Sequence, residues 1–318
     1  MDKSIQTAGG KPEWLKVRYN AKESTAVASL MASLGLNTVC DSANCPNIGE
    51  CFRKKTATFM ILGKNCTRNC KFCNIGHTSK KDLLPPDPEE PRKIAKAAAE
   101  LGLRHAVITC VTRDDLEDGG AAQFAAVIHA IHESCPGVTA EVLISDMMGR
   151  TSSYDTIMDA RPDVLNHNME TVRELYADIR PKASYERSLR LLHYCKEKGA
   201  AVTKTGIMLG LGETDAQISA LFSDIASVGC DILTISQYLP PSSENAPLVR
   251  YVTPAEFEDY KKEALSHGIK YVVSSPLVRS SYMAAEAFNM ICGDEKLRQF
   301  EPISFAKQFG LFIPSPCE

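Results

Sequence analysis

From Ala57 onward, short apolar runs alternate with longer stretches in which apolar residues recur every three to four positions. The runs Ala57–Leu62, His105–Val111, Val138–Ile144, Asp163–Asn166, Ala201–Met208, Asp231–Ile235 and Lys270–Val273 read as strands. Helical patterns lie between them, from Pro91 to Leu101, from Gly119 and Gly120 to about His132, and over Ser153–Ala160. Further ones cover Thr171–Ala177, Tyr185–Lys198, Asp215–Val228 and Pro254–Ser266. Pro85, Pro86 and Pro88 stiffen the connection before Pro91, and Pro91 itself suits the first turn of a helix. Strict alternation implies parallel strands with right-handed crossovers. About six βα units are too few for a closed eight-unit barrel. The pattern predicts an α/β chain built as a partial, open (β/α)6 TIM-like barrel, with a flat doubly wound sheet as the alternative. In either fold, ligands bind at the carboxyl ends of the strands.

Outside this region the pattern changes. Residues 1–56 form a polar, irregular N-terminal extension with a helical stretch at roughly Glu23 to Leu34 and a Cys-bearing loop. Residues 57–275 form the barrel, and 276–318 a C-terminal segment. Its tail after Met283 carries Phe288, Phe300, Phe305, Phe309 and Phe312 among polar residues. Those aromatics predict that it covers an opening in the barrel or mediates self-association.

The chain has 318 residues, 44% hydrophobic and 24% charged, which excludes a disordered or fibrous protein. Its net charge of −3 offers no basic field for nucleic acid or an anionic membrane. No apolar stretch approaches the roughly 20 residues of a membrane span. Met1 to Lys11 shows no apolar run of the secretory type, so the expected location is cytoplasmic. In that reducing setting, clustered cysteines point to metal or catalysis before disulfides.

Six of the twelve cysteines lie between Cys40 and Cys73. Cys66, Cys70 and Cys73 sit on a short loop just past the first strand, at the ligand-binding end. Three thiolates so closely spaced suit an iron–sulfur cluster. A four-iron cluster held by three thiolates keeps one iron open to a small molecule. Zinc in a closed Cys₃His site with His77 is the alternative. Cys40, Cys45 and Cys51 form a second, wider triplet, broken by Pro46 and Gly49. Two incomplete triplets suggest two clusters facing one cavity, with a pair of disulfides as the other reading.

The Cys66-Thr-Arg-Asn-Cys70-Lys-Phe-Cys73 segment resembles the radical S-adenosylmethionine signature. With the second triplet, the chain resembles the lipoyl synthase family. So do the blocks Arg113-Asp-Asp-Leu-Glu-Asp-Gly-Gly120, Asn166-His-Asn-Met-Glu-Thr-Val172, Ala183-Ser-Tyr-Glu-Arg-Ser188, Thr203 to Glu213, Arg250 to Pro254 and Arg279-Ser-Ser-Tyr282. The resemblance covers about residues 30–285. Met283, Ser236 and Ser275 depart from it, standing where the family usually has His, Gly and Gly.

The resemblance implies two [4Fe–4S] clusters and S-adenosylmethionine. The Cys66/Cys70/Cys73 cluster would bind and cleave S-adenosylmethionine to a 5′-deoxyadenosyl radical. The Cys40/Cys45/Cys51 cluster would donate sulfur, with Ser281 as its fourth ligand and Ser280 as the neighbouring candidate. The acceptor would be an octanoyl chain on a lipoyl-carrier protein, either a dehydrogenase-complex lipoyl domain or a glycine-cleavage H protein. An electron donor is also implied. By analogy with the superfamily, Phe72 would lie near the adenine.

Less specific expectations concern polar groups at strand ends. Asn168 and Glu170 would hold the ribose or the methionine carboxylate, or else cap a helix. Gly210 and Glu213 would bring backbone close to S-adenosylmethionine, or else form a tight strand-to-helix turn. Lys204 and Arg279 are candidate cations for a carboxylate or the carrier. The acids of Arg113 to Gly120 would cap the next helix, and Cys110 reads as a small buried hydrophobe.

Overall fold

The computed structural model describes residues 10–16, 29–39, 47, 50, 51, 56–79 and 83–293. Among these, eight strands form one sheet in sequence order. They are β1 (Asn37–Thr38), β2 (Thr56–Ile61), β3 (His105–Cys110), β4 (Thr139–Leu143), β5 (Val164–Asn166), β6 (Val202–Leu209), β7 (Ile232–Gln237) and β8 (Tyr271–Ser274). β2 to β8 run parallel. β1 pairs antiparallel with β2 through Asn37↔Met60 and Thr38↔Phe59. Among the described residues no ladder joins β8 back to β1, so the barrel stays open.

The crossover helices are α1 (Glu90–Glu100), α2 (Ala121–Ser134), α3 (Thr151–Asp159), α4 (Arg173–Ile179), α5 (Tyr185–Glu197), α6 (Asp215–Ser227) and α7 (Pro254–Ser266). Both α4 and α5 lie between β5 and β6. Every residue of β2 and of β7 is buried, as expected of strands covered on both faces. α6 and α7 begin with complete capping boxes, Thr214 with Gln217 and Thr253 with Glu256. Before α2, Gly120 sits at φ +94°. A Cβ there would lie 2.3 Å from Cδ1 of Leu62, so glycine lets the end of β2 pack beneath this helix.

Six βα units followed by a seventh parallel strand make the partial barrel that the alternation predicts. Two elements were not predicted. β1 is two residues long, too short to carry a period, yet it adds the N-terminal extension to the sheet. The second is α8 (Ala284–Cys292). Its Ala287 and Phe288 pack on Val164, Val202 and Ile232, the first residues of β5, β6 and β7. The Phe288 ring stands 6.4 Å from that of His105, the first residue of β3. α8 therefore covers the amino-terminal mouth of the barrel. Phe300, Phe305, Phe309 and Phe312 lie outside the described residues, as does the start of the Glu23–Leu34 stretch, whose residues 29–34 are helical.

Candidate active site

The loop after β2 is sewn to several connections at the carboxyl ends of the strands. Cys66 donates its N–H to Gly76 O at 2.8 Å, so the loop closes on itself. The Thr67 amide donates to Thr112 O beyond β3 (3.0 Å), and the Lys71 amide to Ile179 O at the end of α4 (2.9 Å). The Ala246 amide, beyond β7, donates to Lys71 O at 2.8 Å. The Asn245 side chain reaches Cys73 O at 3.0 Å, and Lys182 Nζ reaches Thr67 O at 2.7 Å.

This loop forms one wall of a cavity of about 270 Å³. Cys66, Cys70, Cys73, Phe72, Asn168 and Glu170 all line it. Arg68 N donates to Cys66 Sγ at 3.3 Å, and Ile75 N to Cys73 Sγ at 3.4 Å. Cys66, Cys70 and Cys73 are free thiols, which removes the disulfide reading for the first triplet. Burial pushes the Cys70 and Cys73 thiols up, Cys73 to about 11. Arg180 works against that shift at Cys70, as a bound cationic metal would.

Three thiols on one cavity wall, two of them with N–H···S support, fit an iron–sulfur cluster. Zinc fits less well. A single tetrahedral ion draws its ligands in to about 2.3 Å, whereas a four-iron cube takes each thiolate on a different iron. Among the described residues, no three Cys, His, Asp or Glu side chains converge on a point that one ion could occupy. His77 is exposed and does not line the cavity.

The opposite wall comes from the end of β5. Glu170 holds a left-handed backbone (φ +69°), a costly conformation for a non-glycine residue. Its N–H donates to Gly206 O at 2.9 Å and its carbonyl accepts from Met208 N at 2.8 Å, so this segment crosses onto β6. Asn168 Nδ2 donates to Glu170 Oε1 at 3.1 Å. Burial raises the Glu170 carboxyl, against the opposing charge of Arg180. Arg180 Nη1 donates to Asn168 O (2.9 Å) and to the Tyr176 hydroxyl (2.5 Å), while its buried Nε has no partner. His167 is locked between Ile144 O and Ser188 Oγ, each at 2.8 Å. Burial lowers its pKa to about 4, so it is neutral at physiological pH.

Arg68, His167 and Arg180 are basic residues of the cavity that sequence reasoning did not single out. Arg68 and His167 lay inside quoted motifs, and nothing local marked Arg180. Cys110 also lines this cavity, so it is more than a core filler.

Other expected residues are placed elsewhere. Lys204 is 1% exposed and does not line the cavity. Its Nζ meets both oxygens of Glu141, at 2.9 and 3.2 Å, which corrects its assignment as a cofactor-binding cation. Gly210 and Glu213 are not among the lining residues. The Glu213 carboxylate accepts the N–H groups of Gly210 (2.5 Å) and Leu211 (2.9 Å), which makes the segment a self-capped turn. Asp118 caps α2 by accepting from Gly120 and Ala122 N, whereas Asp114 pairs with Arg68. Arg279 Nη1 donates to the neighbouring Val278 O.

Of the second triplet, Cys51 is half-buried, and Cys40 and Cys45 lie outside the described residues. Residues flanking Cys51 meet the C-terminal segment. The Asn47 side chain donates to Leu277 O at 2.7 Å, and the Tyr282 hydroxyl to the Glu50 carboxylate at 3.1 and 3.2 Å. Ser280, not Ser281, lines the cavity, together with Val39. Thus Val39, before the barrel, and Ser280, after it, both reach the cavity that carries the first triplet.

Residues 60–225 match the Radical SAM superfamily. Lipoyl synthase of Alkaliphilus metalliredigens (strain QYMF) is 51% identical over 279 residues, which covers 87% of this chain and 95% of that protein. Lipoyl synthase of Caldanaerobacter subterraneus subsp. tengcongensis is 50% identical over 284 residues, covering 89% and 99%. Among solved structures, Streptococcus suis SuiB bound to S-adenosylmethionine superposes with a TM-score of 0.55 at 12% identity, over 82% of this chain and 65% of that one. The FeFe-hydrogenase maturase HydG from Carboxydothermus hydrogenoformans gives 0.53 at 14% identity, over 83% and 77%. At such identities these two likenesses speak for the fold.

Proposed function

This chain belongs to the lipoyl synthase family within the radical S-adenosylmethionine superfamily, and on that footing we propose that Cys66, Cys70 and Cys73 hold the cluster at which S-adenosylmethionine is cleaved. The enzyme inserts two sulfur atoms, at C6 and C8, into a protein-bound octanoyl chain, using two [4Fe–4S] clusters and S-adenosylmethionine. The observation that supports the site is the meeting of three thiols, two of them with N–H···S bonds, on one wall of a cavity at the carboxyl ends of parallel strands.

When bound, the cluster and S-adenosylmethionine supply the 5′-deoxyadenosyl radical, which takes hydrogen from an unactivated alkyl carbon. The chain's own residues bind, orient and exclude water. Arg180 is a buried cation with an uncommitted N–H, suited to the carboxylate of S-adenosylmethionine. Asn168 and Glu170 offer an amide and a carboxyl suited to ribose hydroxyls. Phe72 lines the same cavity with an aromatic ring suited to the adenine. His167, neutral, donates its Nδ1–H to Ile144 O and accepts from the Ser188 hydroxyl at Nε2, which fixes the end of β5.

Cys40, Cys45 and Cys51 would hold the auxiliary cluster on the 1–56 extension. Ser281 would complete it from the 276–318 segment, beside a 57–275 barrel. The bonds of Asn47 and Tyr282 bring that segment to Cys51 and favour this pairing. A serine oxygen is a harder ligand than a thiolate, which suits a cluster that must come apart. The acceptor would be the lipoyl domain of a dehydrogenase complex or a glycine-cleavage H protein, with a separate electron donor, in the cytoplasm.

Anaerobic reconstitution tests this reading. The chain should take up about eight irons, two four-iron clusters' worth. With S-adenosylmethionine, dithionite and an octanoyl-lysine peptide, it should yield 5′-deoxyadenosine and a dithiolated peptide by mass spectrometry. Cys66→Ala should abolish nucleoside formation, whereas Cys51→Ala should spare it and abolish sulfur insertion. Equal loss of nucleoside in both folded variants would overturn the division of labour.

A further inference from the structure

Arg68 lies between two of the three loop cysteines and is 4% exposed. Its guanidinium meets both oxygens of Asp114, Nε at 2.7 Å and Nη2 at 2.8 Å, and Nη2 also meets Asp146 Oδ1 at 2.5 Å. Asp146 is fully buried. Its other oxygen accepts from Arg187 Nε at 2.8 Å, and its carbonyl from the Tyr154 hydroxyl at 2.6 Å. Arg187 Nη2 donates to Lys182 O at 3.0 Å, and Lys182 Nζ returns to Thr67 O at 2.7 Å. The contacts close a ring: Thr67, Arg68, Asp146, Arg187, Lys182 and back to Thr67.

Along this ring and its Asp114 branch, the carboxylates of Asp114 and Asp146 pair with the guanidinium groups of Arg68 and Arg187, while the Lys182 ammonium is held by the Thr67 carbonyl. Buried ions so arranged are worth little as net stability, but breaking one partner is costly, so the arrangement fixes one geometry. That geometry bears on the site directly, because the Arg68 N–H is the donor to Cys66 Sγ.

We infer that Arg68, clamped by Asp114 and Asp146 and buttressed by Arg187, is a positioning residue that sets the shape of the Cys66–Cys73 loop before any metal arrives. The clasp acts on the loop through the Arg68 backbone, whose N–H donates to Cys66 Sγ. Only its spectroscopic readout rests on the reading of the three cysteines as cluster ligands.

The test uses the full chain, cluster-free and reconstituted, as parent and as Arg68→Gln, Arg187→Gln and Arg68→Lys. In the cluster-free chain, hydrogen exchange at the Thr67, Arg68 and Lys71 amides should quicken at least tenfold in Arg68→Gln, and less in Arg187→Gln. Amides of β3 and β4 should be unchanged. After reconstitution and dithionite reduction, the electron paramagnetic resonance signal of the first cluster should broaden in Arg68→Gln and return toward the parent in Arg68→Lys. Arg187 is partly exposed, so its variant carries the test if Arg68→Gln fails to fold. Parent-like exchange at the loop amides in the folded variants would overturn the clasp. Full iron retention by Cys66→Ala would overturn the ligand reading instead, leaving the exchange comparison to decide the clasp.

Discussion

Glu141 and Lys204 face each other inside the barrel, joined by Asn166 Nδ2 at 2.8 Å and His105 Nε2 at 3.3 Å from the Glu141 carboxylate. Burial alone would raise the Glu141 carboxyl, but Lys204 and His105 hold it down at about 2. Its stabilising share is thus present above the unfolded value of 4.5 and is lost as pH falls toward 2. Glu141→Gln leaves the Lys204 ammonium buried without its counter-ion and should cost about 3–5 kcal/mol in urea unfolding at pH 7. His167 is also pH-sensitive. Its folded value of about 4 lies below the unfolded 6.5. As pH falls below 6.5 the unfolded chain takes up a proton that the folded site refuses, so stability declines until about pH 4. Comparing urea midpoints at pH 7 and pH 5, His167→Gln should flatten this slope.

The turn that follows β6 and the strand itself carry glycines with different duties. At Gly206 a Cβ would stand 2.6 Å from Thr234 Oγ1 and 2.9 Å from Asn168 Oδ1, so alanine must push side chains aside. Asn168 lines the cavity, and Gly206→Ala should weaken S-adenosylmethionine binding roughly tenfold, about 1.4 kcal/mol, by equilibrium dialysis. At Gly210, φ is +105° and a Cβ would meet the Arg250 carbonyl at 2.6 Å. Backbone does not yield as a side chain does. Gly210→Ala should therefore lower the stability of the whole fold by more than about 1 kcal/mol in the same unfolding assay. The motif containing both glycines was legible as a unit. Which glycine spares a cavity residue and which spares a turn was not, because that depends on strands β5 and β7 and on the segment after β7.

Across the molecule the two mouths of the barrel divide the work. One carries the cysteine loop and the cavity, and the other is covered by α8. Phe288 is 1% exposed against the first residues of β5 to β7. Phe288→Ala should cost about 3–5 kcal/mol and lower the melting temperature, with iron uptake by the folded fraction unchanged. Between the mouths, the Glu141–Lys204 layer fills the interior with matched charge. The tail's aromatic content announced that it packs on something. Covering an opening of the barrel was one of the two expectations, and Phe288 does so; which strand ends it meets was hidden, because an aromatic residue encodes the need for an apolar surface and not its address.

The alternation of short apolar runs with helical periods by itself determined the parallel sheet, the crossover helices and the end at which a ligand sits. Both patterns are local: they record which face of each segment is buried. The spacing of Cys66, Cys70 and Cys73 likewise determined that three thiols would share one short loop. Tertiary structure decided the rest. It gave Lys204 to Glu141 instead of the cavity, brought Arg180 and His167 to the cavity wall, and clasped Arg68 between Asp114 and Asp146. A charged side chain in the sequence shows only that it needs a counter-charge or solvent. Which counter-charge it meets is fixed only when the fold brings together residues 63 positions apart, as for Glu141 and Lys204, or 78 apart, as for Arg68 and Asp146.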